Sequence, residues 1–179
     1  MRVVAGSARG RRLVAPDGRD TRPTGDRVRQ AIFNALTSLD AVVGADVVDL
    51  YAGSGALGIE ALSRGAAHAT FVERAPAALA AIRTNLVATG LAARATVVQA
   101  DAIVWLPGPR RAELALVDPP YAFADWPRLL ERLSADLVVA ESDREVDAPA
   151  GWVPLRAKRY GSTVVTFLGA LDPERDLGE

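Results

Sequence analysis

From residue 47 onward the apolar positions fall into short unbroken runs, and these alternate with longer stretches in which apolar residues recur at helical spacing. Val47-Val48-Asp49-Leu50-Tyr51 reads as a buried strand, followed by a glycine turn and a helix over Leu57 to Arg64 that Gly65 ends. Thr70-Phe71-Val72 is the next strand, and Pro76 to Ala88 the next helix, with proline in its first turn and Gly90 as its stop. Thr96-Val97-Val98 and Leu114 to Val117 follow as strands, with a short Ala102 to Leu106 segment between them. Trp126 to Leu133 has helical spacing, Leu137 to Ala140 is a fifth strand, and Trp152 to Leu155 with Thr163 to Leu168 predict an antiparallel pair around Gly161. This alternation predicts an α/β fold: a largely parallel sheet with helices on both faces and its ligands at the carboxyl ends of the strands.

The first part of the chain reads differently. Val3 to Ala5 and Arg12 to Ala15 predict a small β-hairpin through Gly6-Ser7-Ala8-Arg9-Gly10, and Pro16-Asp17-Gly18 then breaks the chain. Thr24 is placed to cap a helix over Asp26 to Leu39, whose Val28, Ile32, Ala35, Leu36 and Leu39 make an apolar face. We therefore expect a basic arm over residues 1–24 and one folded domain over residues 25–179, with a frayed polar tail from Asp172.

Composition narrows the chemistry. Half of the 179 residues are hydrophobic, enough for one substantial core, yet no apolar run approaches the about 18 residues of a membrane span. The first residues lack the basic-then-apolar layout of an export signal, so the expected location is cytoplasmic, away from any membrane. There is no cysteine and one histidine, His68, just before the second strand, where a structural role is expected. Thiol nucleophiles, disulfides and zinc sites are therefore set aside, and no metal is expected.

The net charge of −1 conceals an asymmetry, because residues 1–30 carry eight arginines against three aspartates, a local charge of +5, leaving −6 for the rest. Lysine occurs once, at Lys158. A GC-rich coding sequence explains arginine over lysine as well as guanidinium chemistry does, but it does not explain the clustering. Arg2, Arg9, Arg11, Arg12, Arg19 and Arg22 are accordingly the expected phosphate-gripping residues of a nucleic-acid-binding arm.

Gly53-Ser54-Gly55-Ala56-Leu57-Gly58 matches G-x-G-x-x-G between a strand and a helix, which alone suits a nicotinamide or flavin dinucleotide, with Glu73 on ribose hydroxyls. Asp49 argues otherwise. A carboxylate close to where the strand opens into that loop repels a pyrophosphate and favours the ammonium and sulfonium of S-adenosylmethionine. Asp101, just past the third strand, is placed to accept from an adenine amine, so that Asp49, Glu73 and Asp101 contact the amino-acid, ribose and adenine parts in order. Each also has an ordinary structural reading: a cap at Asp49, a pairing of Glu73 with Arg74, a helix N-cap at Asp101.

Asp118-Pro119-Pro120-Tyr121 closes the fourth strand. The lone pair of an exocyclic base amine is delocalised into its ring, and methylation requires that nitrogen to rehybridise toward the donor methyl. Asp118 and the Pro119 carbonyl can accept its two N–H groups, the prolines stiffen the turn, and Tyr121 can stack on a base brought out of its helix. Phe123 extends the aromatic wall, whereas Trp126 is assigned to the core. A strand-ending turn is the plain alternative. The same site suits guanine N2, adenine N6 or cytosine N4, and an NAD-dependent oxidoreductase or a non-catalytic RNA-binding assembly factor are the readings from other classes. A glutamine-modifying protein methyltransferase generally has Asn where this chain has Asp118.

The stretch from Asp49 to Ala61 together with Asp118-Pro119-Pro120-Tyr121 resembles the class I S-adenosylmethionine-dependent amino-methyltransferases. Val4-Ala5-Gly6, Gly10-Arg11-Arg12-Leu13, Thr21-Arg22-Pro23-Thr24 and the run Arg27 to Asn34 resemble, more narrowly, the bacterial RsmD family over nearly the whole chain. That resemblance implies a Rossmann-like class I methyltransferase fold, a seven-stranded sheet in the order 3-2-1-4-5-7-6, and methylation of guanine N2 in small-subunit (16S) rRNA. It implies a donor site at Asp49, Tyr51, Ala52, Gly53, Ser54, Gly55, Glu73, Arg74, Asp101 and Ala102, and a catalytic site at Asp118, Pro119, Pro120 and Tyr121. The implied partner is 16S rRNA within the small subunit or an assembly intermediate, and the protein is expected to act as a monomer.

Overall fold

The computed structural model describes residues 1–16, 25–106, 108 and 111–171. Five strands, β1 (Asp46–Leu50), β2 (His68–Glu73), β3 (Ala95–Gln99), β4 (Ala112–Val117) and β5 (Ala135–Ser142), pair in parallel. The hairpin β6 (Trp152–Tyr160) and β7 (Thr163–Ala170) joins antiparallel through β7. Across the sheet the order is β3-β2-β1-β4-β5-β7-β6, as the family resemblance implies.

Strands buried on both faces need apolar residues at nearly every position. Successive residues here point into two separate clusters: Val47, Leu114, Leu116 and Val139 into one, Val48, Leu50, Ala115, Val117 and Val138 into the other. Helices α1 (Asp26–Ser38), α2 (Ala56–Ser63) and α3 (Pro76–Thr89) supply Phe33, Leu36, Leu62 and Ile82 to the first, while α4 (Ala102–Trp105) and α5 (Trp126–Arg132) cover the second with Ala102, Leu129 and Leu130. Trp126, 6% exposed, belongs to that second core.

Several boundaries differ from the pattern. β1 ends at Leu50, because Tyr51 turns the chain with φ 59°, a left-handed conformation uncommon outside glycine. β6 runs to Tyr160, well beyond Leu155, although most of its side chains are exposed and Arg156, Lys158 and Arg159 interrupt any apolar alternation. It is an edge strand held by β7, and charge is what such edges tolerate. In α1 the buried residues are Arg29, Ile32, Phe33 and Leu36, while Leu39 is 52% exposed, so the helix is turned to bury a guanidinium. Gly25 occupies its N-cap position without a side-chain bond; Thr24 lies outside the described residues, as do Arg19, Arg22 and the tail from Asp172.

The expected N-terminal hairpin is reduced to one antiparallel bridge, Arg2 with Arg12, framed by backbone bonds from Val3 N–H to Arg11 O (3.0 Å) and Gly10 N–H to Val3 O (2.9 Å). The segment is fixed instead by the domain beneath it. Val3, Ala8 and Leu13 are each at most 5% exposed and join the first core cluster. Glu60 of α2 accepts the N–H groups of Val4 (2.8 Å) and Ala5 (3.0 Å), and Ser63 Oγ accepts that of Ala8 (2.9 Å). Gly6 sits so close that a Cβ would lie 1.9 Å from the Ser63 carbonyl oxygen.

Candidate active site

The carboxyl ends of β1, β2, β3, β4 and β5 open into one cavity of about 920 Å³. Thirteen of the positions expected on sequence line it: Asp49, Tyr51, Ala52, Gly53, Ser54, Glu73, Arg74, Asp101, Ala102, Asp118, Pro119, Pro120 and Tyr121. Gly55 does not. It is the N-cap of α2 at φ 77°, turned inward so that a Cβ would press on Ile82 and Phe71 at 3.3 Å. Its part is to turn the loop into the helix.

The glycine loop is built around two acids. Asp49, 1% exposed, accepts the Gly58 N–H through Oδ2 at 2.9 Å, which brings α2 against the strand. Only glycine fits there, since a Cβ at Gly58 would lie 2.4 Å from the Phe71 ring. Burial pushes the Asp49 carboxyl well above its ordinary range, the Gly58 N–H opposes that, and the charges of Asp118 and Glu73 add to it. Glu73, 4% exposed, accepts Gly53 N–H (3.0 Å) through one oxygen and the N–H groups of Arg74 and Ala75 (both 2.9 Å) through the other. Three of a carboxylate's roughly four acceptor positions are thereby used, leaving one for a ligand hydroxyl.

Asp101 combines both of its readings. Its Oδ1 accepts from Ile103 N–H (3.0 Å) and Val104 N–H (3.2 Å) as the N-cap of α4, while Oδ2 stands 3.7 Å from Arg74 and the residue lines the cavity. Tyr51 stacks obliquely on Phe123 (ring centroids 5.6 Å apart), and Phe123 meets Trp126 edge-on at 5.3 Å. Burial first, then Asp101, pushes the Tyr51 phenol up to about 12, so it stays a hydrogen-bond donor at neutral pH.

Asp118 continues directly from β4, its N–H reaching the Leu50 carbonyl of the adjacent strand at 3.4 Å. Pro119 is buried, while Tyr121 is 46% exposed and its hydroxyl bonds Thr163 Oγ1 at 3.0 Å. The turn therefore meets the segment Gly161-Ser162-Thr163 at the β6–β7 hairpin, which also lines the cavity and which sequence reasoning did not single out. Glu141, in the penultimate position of β5, lines it too and was equally overlooked. An acid ending an apolar run is the signal that had marked Asp118, and it was available at Glu141. His68 is remote from the cavity lining and contacts Thr96 Oγ1 at 3.1 Å.

Arg2, Arg9, Arg11 and Arg12 are exposed on the arm and form no part of the cavity wall. Among the described residues Arg9, Arg11 and Arg12 carry no ion pair. The cavity has the opposite character: Asp49, Glu73, Asp101, Asp118 and Glu141 face it, against Arg74 alone among the described basic residues. That set suits a cationic ligand and disfavours a pyrophosphate.

The sheet order and the cavity at its carboxyl edge define a Rossmann-like class I methyltransferase fold. The yhhF protein of Escherichia coli, described as a candidate methyltransferase, superposes with a TM-score of 0.82 at 36% identity over 95% of this chain and 97% of that one. The family model described as "Conserved hypothetical protein 95" matches residues 1–169, and the chain belongs to that family, the RsmD-type rRNA methyltransferases. The Bacillus subtilis protein YlbH, described as a candidate rRNA methyltransferase, is 40% identical over 181 residues, 93% of this chain and 97% of its own length. Ribosomal RNA small subunit methyltransferase D of Escherichia coli is 43% identical over 122 residues, 68% of this chain and 60% of that protein.

Proposed function

We propose that this protein transfers a methyl group from S-adenosylmethionine to the exocyclic N2 amine of one guanine in small-subunit (16S) rRNA. The observation that carries the reading is the buried carboxylate of Asp49 beneath the glycine loop, in the same cavity as Asp118. The names of the relatives, an rRNA methyltransferase and a small-subunit methyltransferase, support rRNA as the polymer.

The bound donor supplies an electrophilic methyl on a sulfonium, which leaves as a neutral thioether when the methyl is taken. Of the residues that line the cavity, Asp49 would hold the cationic amino-acid end, the remaining acceptor position of Glu73 would take a ribose hydroxyl, and Asp101 with the Ala102 backbone would receive the adenine. Asp118 and the Pro119 carbonyl would accept the two N–H groups of the target amine and so fix the direction of its lone pair. The new C–N bond makes that nitrogen cationic, Asp118 stabilises the growing charge, and the proton leaves to Asp118 or water. Tyr121, tethered to Thr163, supplies the stacking surface for the extruded base. The arm over residues 1–24 presents Arg2, Arg9, Arg11 and Arg12, with Arg19 and Arg22, to RNA phosphates, and residues 25–179 carry the chemistry.

The test is transfer of labelled methyl from S-adenosylmethionine to small subunits lacking the modification, run beside free 16S rRNA, DNA and protein. Label in small-subunit RNA that maps to a single guanine supports the proposal. Label confined to DNA or protein overturns it.

A further inference from the structure

A second buried acid faces the cavity beside Asp118, and its position bears on which base is admitted. Glu141 is 3% exposed and follows the apolar run Leu137-Val138-Val139-Ala140 of β5. β4 and β5 remain in parallel register to the pair Val117 with Ala140, so Asp118 and Glu141 leave neighbouring strands side by side, about 4.8 Å apart in the pairing direction. Both line the cavity. On its other side Glu141 is in register with Val165 of β7, so its backbone is fixed between two strands while Asp118 starts a turn.

We propose that Glu141 is a specificity-determining residue: it accepts the ring N1–H that lies beside the target amine in guanine and in no other amine-bearing base. This rests on the guanine-N2 reading above and supplies a reason for it that lies in this chain's own side chains. In guanine the amine at C2 adjoins N1–H, a donor. In adenine the amine adjoins N1, and in cytosine N3, and both are acceptors. An ionised carboxylate is an acceptor only, so two adjacent carboxylates match the paired donors of guanine and place a lone pair against a lone pair in adenine or cytosine. Asp118 alone makes no such distinction, because all three bases offer it an amine. A site built to receive a substrate N–H rejects an analogue without it far more strongly than a site that differs only in shape.

The experiment exchanges the donor at N1 while keeping the amine. Small subunits are reconstituted with 16S rRNA carrying, at the mapped target position, either guanine or 2-aminopurine, whose N2 amine is intact and whose N1 is an acceptor. Methyl transfer is measured with wild-type protein, Glu141→Gln and Glu141→Asp. Wild type is expected to favour guanine by at least about 100-fold in kcat/KM, a floor set below the about 10⁴- to 10⁵-fold rejection of analogues that lack a hydrogen-bonded group. Glu141→Gln, whose amide can either accept N1–H through its oxygen or donate to an N1 acceptor through its NH2, is expected to lower guanine activity and narrow the preference at least tenfold, and Glu141→Asp to retain the preference at reduced rate. A purely structural role for Glu141 lowers both substrates together, and an unchanged ratio in Glu141→Gln overturns the inference. If that variant does not fold by circular dichroism, the wild-type ratio decides: equal rates on both substrates overturn it. Failure of the underlying guanine-N2 reading is distinct, since wild type then leaves no methyl at N2 of the guanine substrate.

Discussion

Replacing Glu60 with Gln tests whether the arm is part of the folded domain. Glu60 is fully buried, accepts Val4 and Ala5 N–H at 2.8 and 3.0 Å, and bonds Arg64 Nε at 2.7 Å. Arg29, also fully buried, brings its Nε within 3.6 Å of the same carboxylate. Glutamine keeps the shape but removes the charge and turns an NH2 group toward atoms that are all donors. Removing one partner of a buried ion pair costs about 3–5 kcal/mol. Arg29 keeps bonds to Asp26 and to the Arg2 carbonyl, and Arg64 reaches solvent through 12% of its side chain, so the lower end applies. For a chain of this size each 1 kcal/mol moves Tm by about 2–4 °C, giving a fall of about 6–12 °C. Thermal unfolding followed by circular dichroism measures the fall, and hydrogen exchange should show the Val4 and Ala5 amides opening. Asp26→Asn, at a partner that is 56% exposed, serves as a control and should cost about 0.5 kcal/mol or less. A Glu60→Gln protein that melts within 2 °C of wild type, with both amides still protected, would refute the reasoning.

Three further outcomes follow from the same contacts. Asn85 is 1% exposed and joins the Val14 N–H (2.8 Å) and carbonyl (3.0 Å) to the Ser54 carbonyl of the glycine loop (2.9 Å), so Asn85→Ala should both lower Tm and weaken donor binding in calorimetry, by about 1–3 kcal/mol in stability. Because the folded-state pKa of Asp49 is raised, its contribution to stability is complete below the ordinary carboxylate range and is lost as pH rises through the raised value; donor binding, which favours the carboxylate, should strengthen over that rise by up to about tenfold per pH unit. Asp49→Asn should bind weakly with a flat pH profile, and a profile parallel to wild type would contradict the assignment. Changing Arg9, Arg11 and Arg12 together to Ala should lower the slope of log affinity for RNA against log salt by about 2–3, measured by filter binding from low to moderate salt, with donor affinity unaltered.

The central sheet was legible because its strands are buried on both faces, and a run such as Leu114 to Val117 admits few other placements. Helix ends marked by Gly65 and Gly90 were equally clear, since both take the left-handed conformation that stops a helix. What escaped was decided by partners distant in sequence. The burial of Arg29 depends on Glu60, 31 positions later, and no periodicity in α1 announces a buried guanidinium. β6 is a strand because β7 pairs with it, not because its own residues alternate. In the cavity, Asp49 inside an apolar strand, Glu73 and Asp118 at the ends of theirs, and Asp101 just past the third strand could be picked out singly. Glu141, which ends the run Leu137 to Ala140, carried the same signal, whereas the loop of Gly161 to Thr163 enters the same space only through the sheet order, which folds β7 back against β5.

Asp118 is proposed to direct a methyl group onto guanine N2. That role is tested most directly by digesting labelled small-subunit rRNA to nucleosides after reaction with wild type and with Asp118→Ala, and identifying the labelled nucleoside by mass spectrometry. N2-methylguanosine is expected as the labelled product of wild type, reduced by at least about 100-fold in Asp118→Ala, a protein expected still to fold and to bind donor. Label in N6-methyladenosine or N4-methylcytidine, or an Asp118→Ala rate equal to wild type, would contradict it.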